Sequence, residues 1–139
     1  MRDRCRWALD GADLTVPVPL HPSRRRERGF NQALDLARGL GLPVTLALRR
    51  TRATESQTGL AGSERHKNVL KAFASSRLPW RARSVVNRIV VLVDDVCTTG
   101  ATLDQCASVL RTMGAREVRA VTAARVASGP RHLTSCSDV

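Results

Sequence analysis

Asp94 and Asp95 stand side by side, and Thr98, Thr99, Gly100, Ala101 and Thr102 follow within a few residues. Adjacent carboxylates can accept hydrogen bonds from the two hydroxyls of a sugar diol, and their mutual repulsion favours a divalent cation close by. Hydroxyls and a glycine at the start of a helix suit a phosphate: the first helical amides have no partner within the helix, and glycine permits a turn that other residues resist. Ile89-Val90-Val91-Leu92-Val93 runs directly into the acids. Such an unbroken β-branched and leucine run suits a parallel strand buried on both faces, and open parallel sheets bind ligands beyond the carboxyl ends of their strands. The order of strand, acid pair, hydroxyl loop and helix predicts a site that holds a ribose with Asp94 and Asp95 and its phosphate with residues 98–102. Taken singly, each of these residues is an ordinary strand-end or helix-cap residue; the reading rests on their combination.

The elements that must position this motif alternate in type. Residues 14–20 predict a strand that runs out into a loop at Pro17 and Pro19, and a basic loop follows over 21–28. Residues 31–40 predict a helix with Ala33, Leu36, Ala37 and Leu40 on one face and Gly39 and Gly41 at its end. Residues 44–48 predict a second strand. Residues 49–68 are polar and charged, with Leu60 their only large apolar side chain, so they add little to a core and predict either a functional lid or a disordered stretch. Residues 75–87 are ambiguous, and a hairpin is the expectation there. Leu103, Ala107, Leu110 and Met113 form a helical stripe with Cys106 beside it, and Gly114 falls where a helix ends. Residues 118–126 return to strand character. The whole predicts one α/β domain over 1–139, with a central parallel sheet of about four or five strands flanked by helices and a loose tail at 127–139.

Composition narrows the classes. The chain has 139 residues, 42% hydrophobic and 25% charged, enough for a hydrophobic core without covalent staples. It holds no apolar run long enough to cross a bilayer and no apolar stretch near its N-terminus, so membrane insertion is not expected and a cytoplasmic protein is. Cys5, Cys97, Cys106 and Cys136 are far apart, which argues against zinc or Cys-x-x-Cys redox chemistry. Of 23 basic residues only Lys67 and Lys71 are lysine, leaving 21 arginines and a net charge of +11. That charge predicts attraction to polyanions, although aromatics at 3% give little to a single-strand stacking platform. A P-loop nucleotidase needs Gly-x-x-x-x-Gly-Lys-Ser/Thr, which does not occur. Among the remaining residues, His21 suits a phosphate contact or a loop anchor, and Arg24-Arg25-Arg26 reads as a solvated charge run. Cys97 has no neighbouring activator in sequence, Cys106 packs on the helix stripe, and Trp7 and Trp80 are expected to be partly buried anchors.

The segment Val91-Leu92-Val93-Asp94-Asp95-Val96-Cys97-Thr98-Thr99-Gly100-Ala101-Thr102 resembles the phosphoribosyl-diphosphate motif of type I phosphoribosyltransferases. Val16-Pro17-Val18-Pro19-Leu20-His21, Arg28-Gly29-Phe30-Asn31-Gln32-Ala33, and Gln57-Thr58-Gly59-Leu60 followed by Arg65 and Asn68 resemble, more narrowly, the ComF family. The resemblance covers residues 14–126 with its segments in family order. It implies a type I phosphoribosyltransferase-like fold with a flexible active-site loop at 49–68. It places Asp94 and Asp95 on the ribose 2- and 3-hydroxyls and, through the substrate, near Mg²⁺. It places Thr98, Thr99, Gly100, Ala101 and Thr102 on the 5-phosphate, and Leu20, His21, Arg28 and Arg65 on the pyrophosphate; it assigns no catalytic residue.

The activity so implied is a Mg²⁺-dependent transfer of ribose 5-phosphate from phosphoribosyl diphosphate to a nitrogen acceptor, with release of pyrophosphate. The acceptor stays open. The alternative is a non-catalytic phosphoribosyl diphosphate or nucleotide-binding protein acting in DNA uptake (competence) or regulation, with single-stranded DNA or the competence machinery as partner. Two departures qualify the resemblance. Thr98 stands where some purine-salvage relatives carry an acid used as a base. The four-cysteine zinc module and leading helix common in the family do not precede the first strand here; a short variant, a fragment and the product of a misplaced start codon are the alternatives, with exposed apolar surface or a homodimer as the expected consequence.

Overall fold

A computed structural model describes residues 5–20, 29–51 and 72–125. Strand β4 (Ile89–Cys97) is the centre of the fold, with β1 (Leu14–Pro17) on one side and β5 (Glu117–Arg125) on the other. Both neighbours run parallel to it, with Val16 opposite Leu92 and Val93 opposite Val121. The apolar run of β4 is buried because both of its faces are covered. Val90 and Leu92 join Leu14, Val16 and Val85 in a cluster closed by Leu103, Cys106 and Leu110 of helix α4 (Ala101–Thr112). Val91 and Val93 face the other way, onto Ala37 of helix α2 (Gln32–Gly39), Leu40 just beyond it, and Cys5 and Ala8 at helix α1 (Arg6–Leu9). A strand with two dry faces needs apolar residues at every position rather than at every second one.

Local chemistry fixes the helices. Asn31 caps α2 by accepting from the Ala33 amide at 3.1 Å, and its side-chain amide donates to the Val18 carbonyl, tying the helix start to the end of β1. Gly114 follows α4 with φ +96°, a left-handed backbone that glycine adopts without strain. The short α1 is secured by Arg119 of β5, whose guanidinium donates to the carbonyls of Trp7, Ala8 and Asp10. A cation at carbonyls left unpaired by a helix end is favourable.

Four expectations change. The parallel sheet has three strands rather than four or five, extended by a single bridge between Val44 and Thr15. The expected strand at 44–48 divides: after that bridge the chain leaves the sheet, and Leu48–Arg50 (β2) pairs antiparallel with Phe73–Ser75 (β3). Arg49 and Arg50, expected in the polar loop, are thus ladder residues; residues 52–71 lie outside the described residues. No hairpin forms over 75–87. Pro79 at a first helical position, with a preset φ, starts the five-residue helix α3 (Pro79–Arg83) instead. Finally, Trp80 is 65% exposed rather than a partly buried anchor, while Trp7 is 44% exposed and so partly buried. Among the described residues, no helix is long and apolar enough to cross a membrane.

Leu110 is fully buried where α4 meets the sheet. Leu110→Ala is expected to destabilise the fold by about 2–5 kcal/mol, read as a lower urea midpoint at unchanged slope.

Candidate functional site

Strand β4 extends four residues past its apolar run, so Asp94 and Asp95 lie within the strand rather than just beyond it; Asp94 is in register with the buried Thr122 of β5. The strict alternation of faces breaks here. The Asp95 amide donates to Asp94 Oδ1 and the Val96 amide to Asp95 Oδ1, both at 2.9 Å. Cys97 thereby turns onto the same cluster as Val90 and Leu92, while Asp95 remains half-buried and Val96 exposed.

Gly100, at φ +82°, then turns the chain into α4. A Cβ added there would meet nothing within 4 Å, so the requirement is for the left-handed backbone and not for space. Thr99 Oγ1 accepts from the Ala101 amide, and the Asp104 amide donates to the Gly100 carbonyl to open the helix. Asp94, Val96, Cys97, Thr98, Gly100, Ala101, Thr102 and Leu103 line a shallow recess of about 20 Å³. An acid and the first amides of a 12-residue helix therefore border one small polar space.

The electrostatics of the two acids differ. Asp94 is only 9% exposed, and burial pushes its carboxyl up to about 7, opposed by the hydrogen bond from the Asp95 amide and the charge of Arg50 and helped by the Asp95 carboxyl. Burial, with Asp94 adding to it, raises the Cys106 thiol to about 12, which makes it an inert packing group. Among the described residues, no group of three or more His, Cys, Asp or Glu side chains gathers to hold a metal. Two carboxylates fit Mg²⁺ only in the manner of an ion carried by substrate phosphates, since that ion keeps most of its water and needs few protein oxygens.

The structure thus brings Asp94 together with Thr98, Gly100, Ala101 and Thr102. It sets Thr99 as a capping hydroxyl beside them and Asp95 next along the strand. Leu20 is half-buried just beyond the end of β1. His21, Arg28 and Arg65 lie outside the described residues. Arg50 was not foreseen. It ends β2 opposite Phe73, its guanidinium lies 5.3 Å from that ring's centre, and its charge reaches both Asp94 and Cys106. No sequence signal separates Arg50 from the arginines around it; the β2–β3 pairing selects it.

A family model described as "Phosphoribosyl transferase domain" matches residues 26–138. The chain belongs to the phosphoribosyl transferase domain family. Its resemblance to ComF proteins holds as well. It is 35% identical over 113 residues to Competence protein F of Haemophilus influenzae, covering 75% of this chain and 46% of that protein. It is 38% identical over 112 residues to the DNA utilization protein YhgH of Escherichia coli strain K12, covering 77% of this chain and 47% of that one. The chain spans about half the length of the curated relatives it matches. In fold it is similar to a hypoxanthine phosphoribosyltransferase from Trypanosoma cruzi, with a TM-score of 0.52 at 17% identity, over 99% of this chain and 68% of that one. The type I phosphoribosyltransferase fold is therefore that of this chain.

The Asp94 carboxyl keeps its proton in the fold at pH values where the unfolded chain has lost it. The stability it contributes is full below about pH 4 and is lost as the pH rises through about 7. Asp94→Asn removes the buried charge. It is expected to stabilise the protein at pH 8, on the order of 2–4 kcal/mol, and to leave it nearly unchanged at pH 4. Thermal melts at the two pH values read the difference.

Proposed function

We propose that this phosphoribosyltransferase-family chain binds Mg²⁺-phosphoribosyl diphosphate and transfers ribose 5-phosphate to a nitrogen acceptor, releasing pyrophosphate. The observation that carries the reading is the recess shared by Asp94 and the loop that opens α4. In it the hydroxyls of Thr98 and Thr102 and the first amides of α4 receive the 5-phosphate. Asp94 and Asp95 accept from the ribose 2- and 3-hydroxyls. Bound Mg²⁺ supplies neutralisation of the diphosphate charge. The 5-phosphate fixes one end of the sugar and the acids fix its opposite edge, so the anomeric carbon is held in one place for attack, and positioning of this kind accounts for much of a barrier. Leu20, His21, Arg28 and Arg65 complete the reading as the pyrophosphate side, where arginine's planar fork suits phosphate oxygens. The setting proposed is cytoplasmic nucleotide metabolism, with a homodimer as the assembled form.

A second reading has its own support. Thr98 leaves the loop without a carboxylate that could serve as a base, the net charge is +11, and relatives bear the names Competence protein F and DNA utilization protein. In this reading the same recess binds phosphoribosyl diphosphate or a nucleotide without transfer, in DNA uptake or its regulation.

The two separate on pyrophosphate release. Incubation with phosphoribosyl diphosphate, Mg²⁺ and a panel of nucleobases and amines is expected to yield pyrophosphate with at least one acceptor, and none with any acceptor would leave the second reading. The ionised carboxylate is the stronger acceptor for ribose hydroxyls. Affinity for phosphoribosyl diphosphate is therefore expected to weaken as the pH falls below about 7, where Asp94 takes up its proton, and to level off above it.

A further inference from the structure

Asp94 shares the parity of Val90 and Leu92 along β4, so the pleat sets it on their face of the sheet. That face is covered by α4 and by the β2–β3 pair: Leu48 and Phe73 of the ladder join Leu92 and Cys106 in one buried cluster. The acid therefore stands at the margin of a core that the ladder helps to close. The two arginines of the ladder part company there, as successive residues of a strand do. Arg49 donates from Nε to the Ser75 carbonyl at 3.1 Å. Arg50, opposite Phe73, holds its guanidinium 5.3 Å from the centre of that ring, and its Nε is buried. A guanidinium over an aromatic face is attracted to it and loses freedom to move.

A cation so placed acts on more than its ring. Among the described residues, Arg50 is the positive charge that acts on the Asp94 carboxyl, and it acts also on the Cys106 thiol of the facing helix. Cys106 is fully buried and Asp94 nearly so, so these charges meet through protein rather than water and salt screens them little. An anionic ligand makes this matter. A carboxylate that approaches a phosphate-bearing sugar repels it, and the Asp95 carboxyl alongside adds to the negative charge. A fixed guanidinium behind Asp94 offsets that repulsion and leaves the carboxylate to accept from a hydroxyl. Arg50 is not among the residues that line the recess, so its part is played through Asp94 and not on the ligand.

We infer that Arg50 is a positioning residue of the site: held against the Phe73 ring, its guanidinium offsets the charge of Asp94 and allows that carboxylate to meet a phosphate-bearing sugar. The inference rests on the reading of the recess as a phosphoribosyl diphosphate site, and it adds the residue through which the β2–β3 pair contributes to binding.

The test is calorimetric titration of Mg²⁺-phosphoribosyl diphosphate into the full chain carrying Arg50→Met, alone and together with Asp94→Asn. Methionine keeps an unbranched apolar stem on Phe73 and removes the charge. Arg50→Met is expected to weaken binding about tenfold in the native background and by less than about twofold in the Asp94→Asn background, because coupled residues lose their effect together. Arg50→Lys is expected to restore most of the affinity. Phe73→Leu keeps the charge and an apolar contact but removes the ring, and is expected to weaken binding about threefold; these two variants carry the test if Arg50→Met does not fold. Equal affinity of the native and Arg50→Met proteins would overturn the inference. Equal losses in the two backgrounds would also overturn it, since a residue that acts only on the fold, or directly on the ligand, has no need of Asp94. A native chain that binds no phosphoribosyl diphosphate would overturn the recess reading and this inference with it.

Discussion

The constraint on which the rest of the molecule depends is the burial of one carboxylate at the end of a strand that is itself dry on both faces. Asp94 continues the register of Val90, Leu92 and their neighbours into the edge of the core. A charge there is costly, and its carboxyl moves up to about 7 as a result. The cost is acceptable because the carboxylate sits where the chain leaves the sheet. Within a few residues the backbone turns at Gly100 and opens α4, whose unpaired amides border the same recess. The burial sacrifices stability at neutral pH, a pattern commoner at functional sites than in structural cores.

The cover over β4 follows from the same constraint. One face is closed by α1 and α2 and the other by α4 with the β2–β3 pair. The second of these covers also brings charge to the acids. Because Arg50 is held opposite Phe73 in the ladder and stacked on its ring, a guanidinium is fixed near Asp94 by an element that otherwise serves packing. The ladder itself packs against the α4 side of the sheet.

Much of this was legible in the residues. The unbroken run from Ile89 to Val93 announced a two-faced strand, the stripe through Leu103 and Leu110 announced the helix that covers it, and Asn31 and Gly114 marked helix ends by their capping chemistry. The succession of strand end, glycine turn and helix start was readable because its order is constrained locally, within 94–102. What was not readable depends on contacts distant in sequence. Residues 44–48 have strand composition, yet which partner they take is decided by Thr15 for Val44 and by Ser75 for Leu48. Residues 75–87 lack a strong period, so Pro79 and its preset φ decided for a helix. The exposure of Trp80 and the approach of Arg50 to Asp94 are likewise tertiary facts that a hydropathy pattern does not encode.

Family membership and fold are those of the phosphoribosyl transferase domain; the relatives, about twice as long, leave the ligand of the recess, the acceptor and the cellular task to be measured. The central claim is that Asp94 and Asp95 bind the ribose while the α4 loop binds its 5-phosphate. Calorimetric titration of the native chain and of the Asp94→Asn/Asp95→Asn double variant, with Mg²⁺-phosphoribosyl diphosphate and with inorganic phosphate, tests it most directly. The account predicts that the double variant loses at least tenfold in affinity for phosphoribosyl diphosphate, the loss of about one charge-assisted hydrogen bond, while its weak affinity for phosphate is kept. Equal binding of phosphoribosyl diphosphate by the two proteins would contradict it.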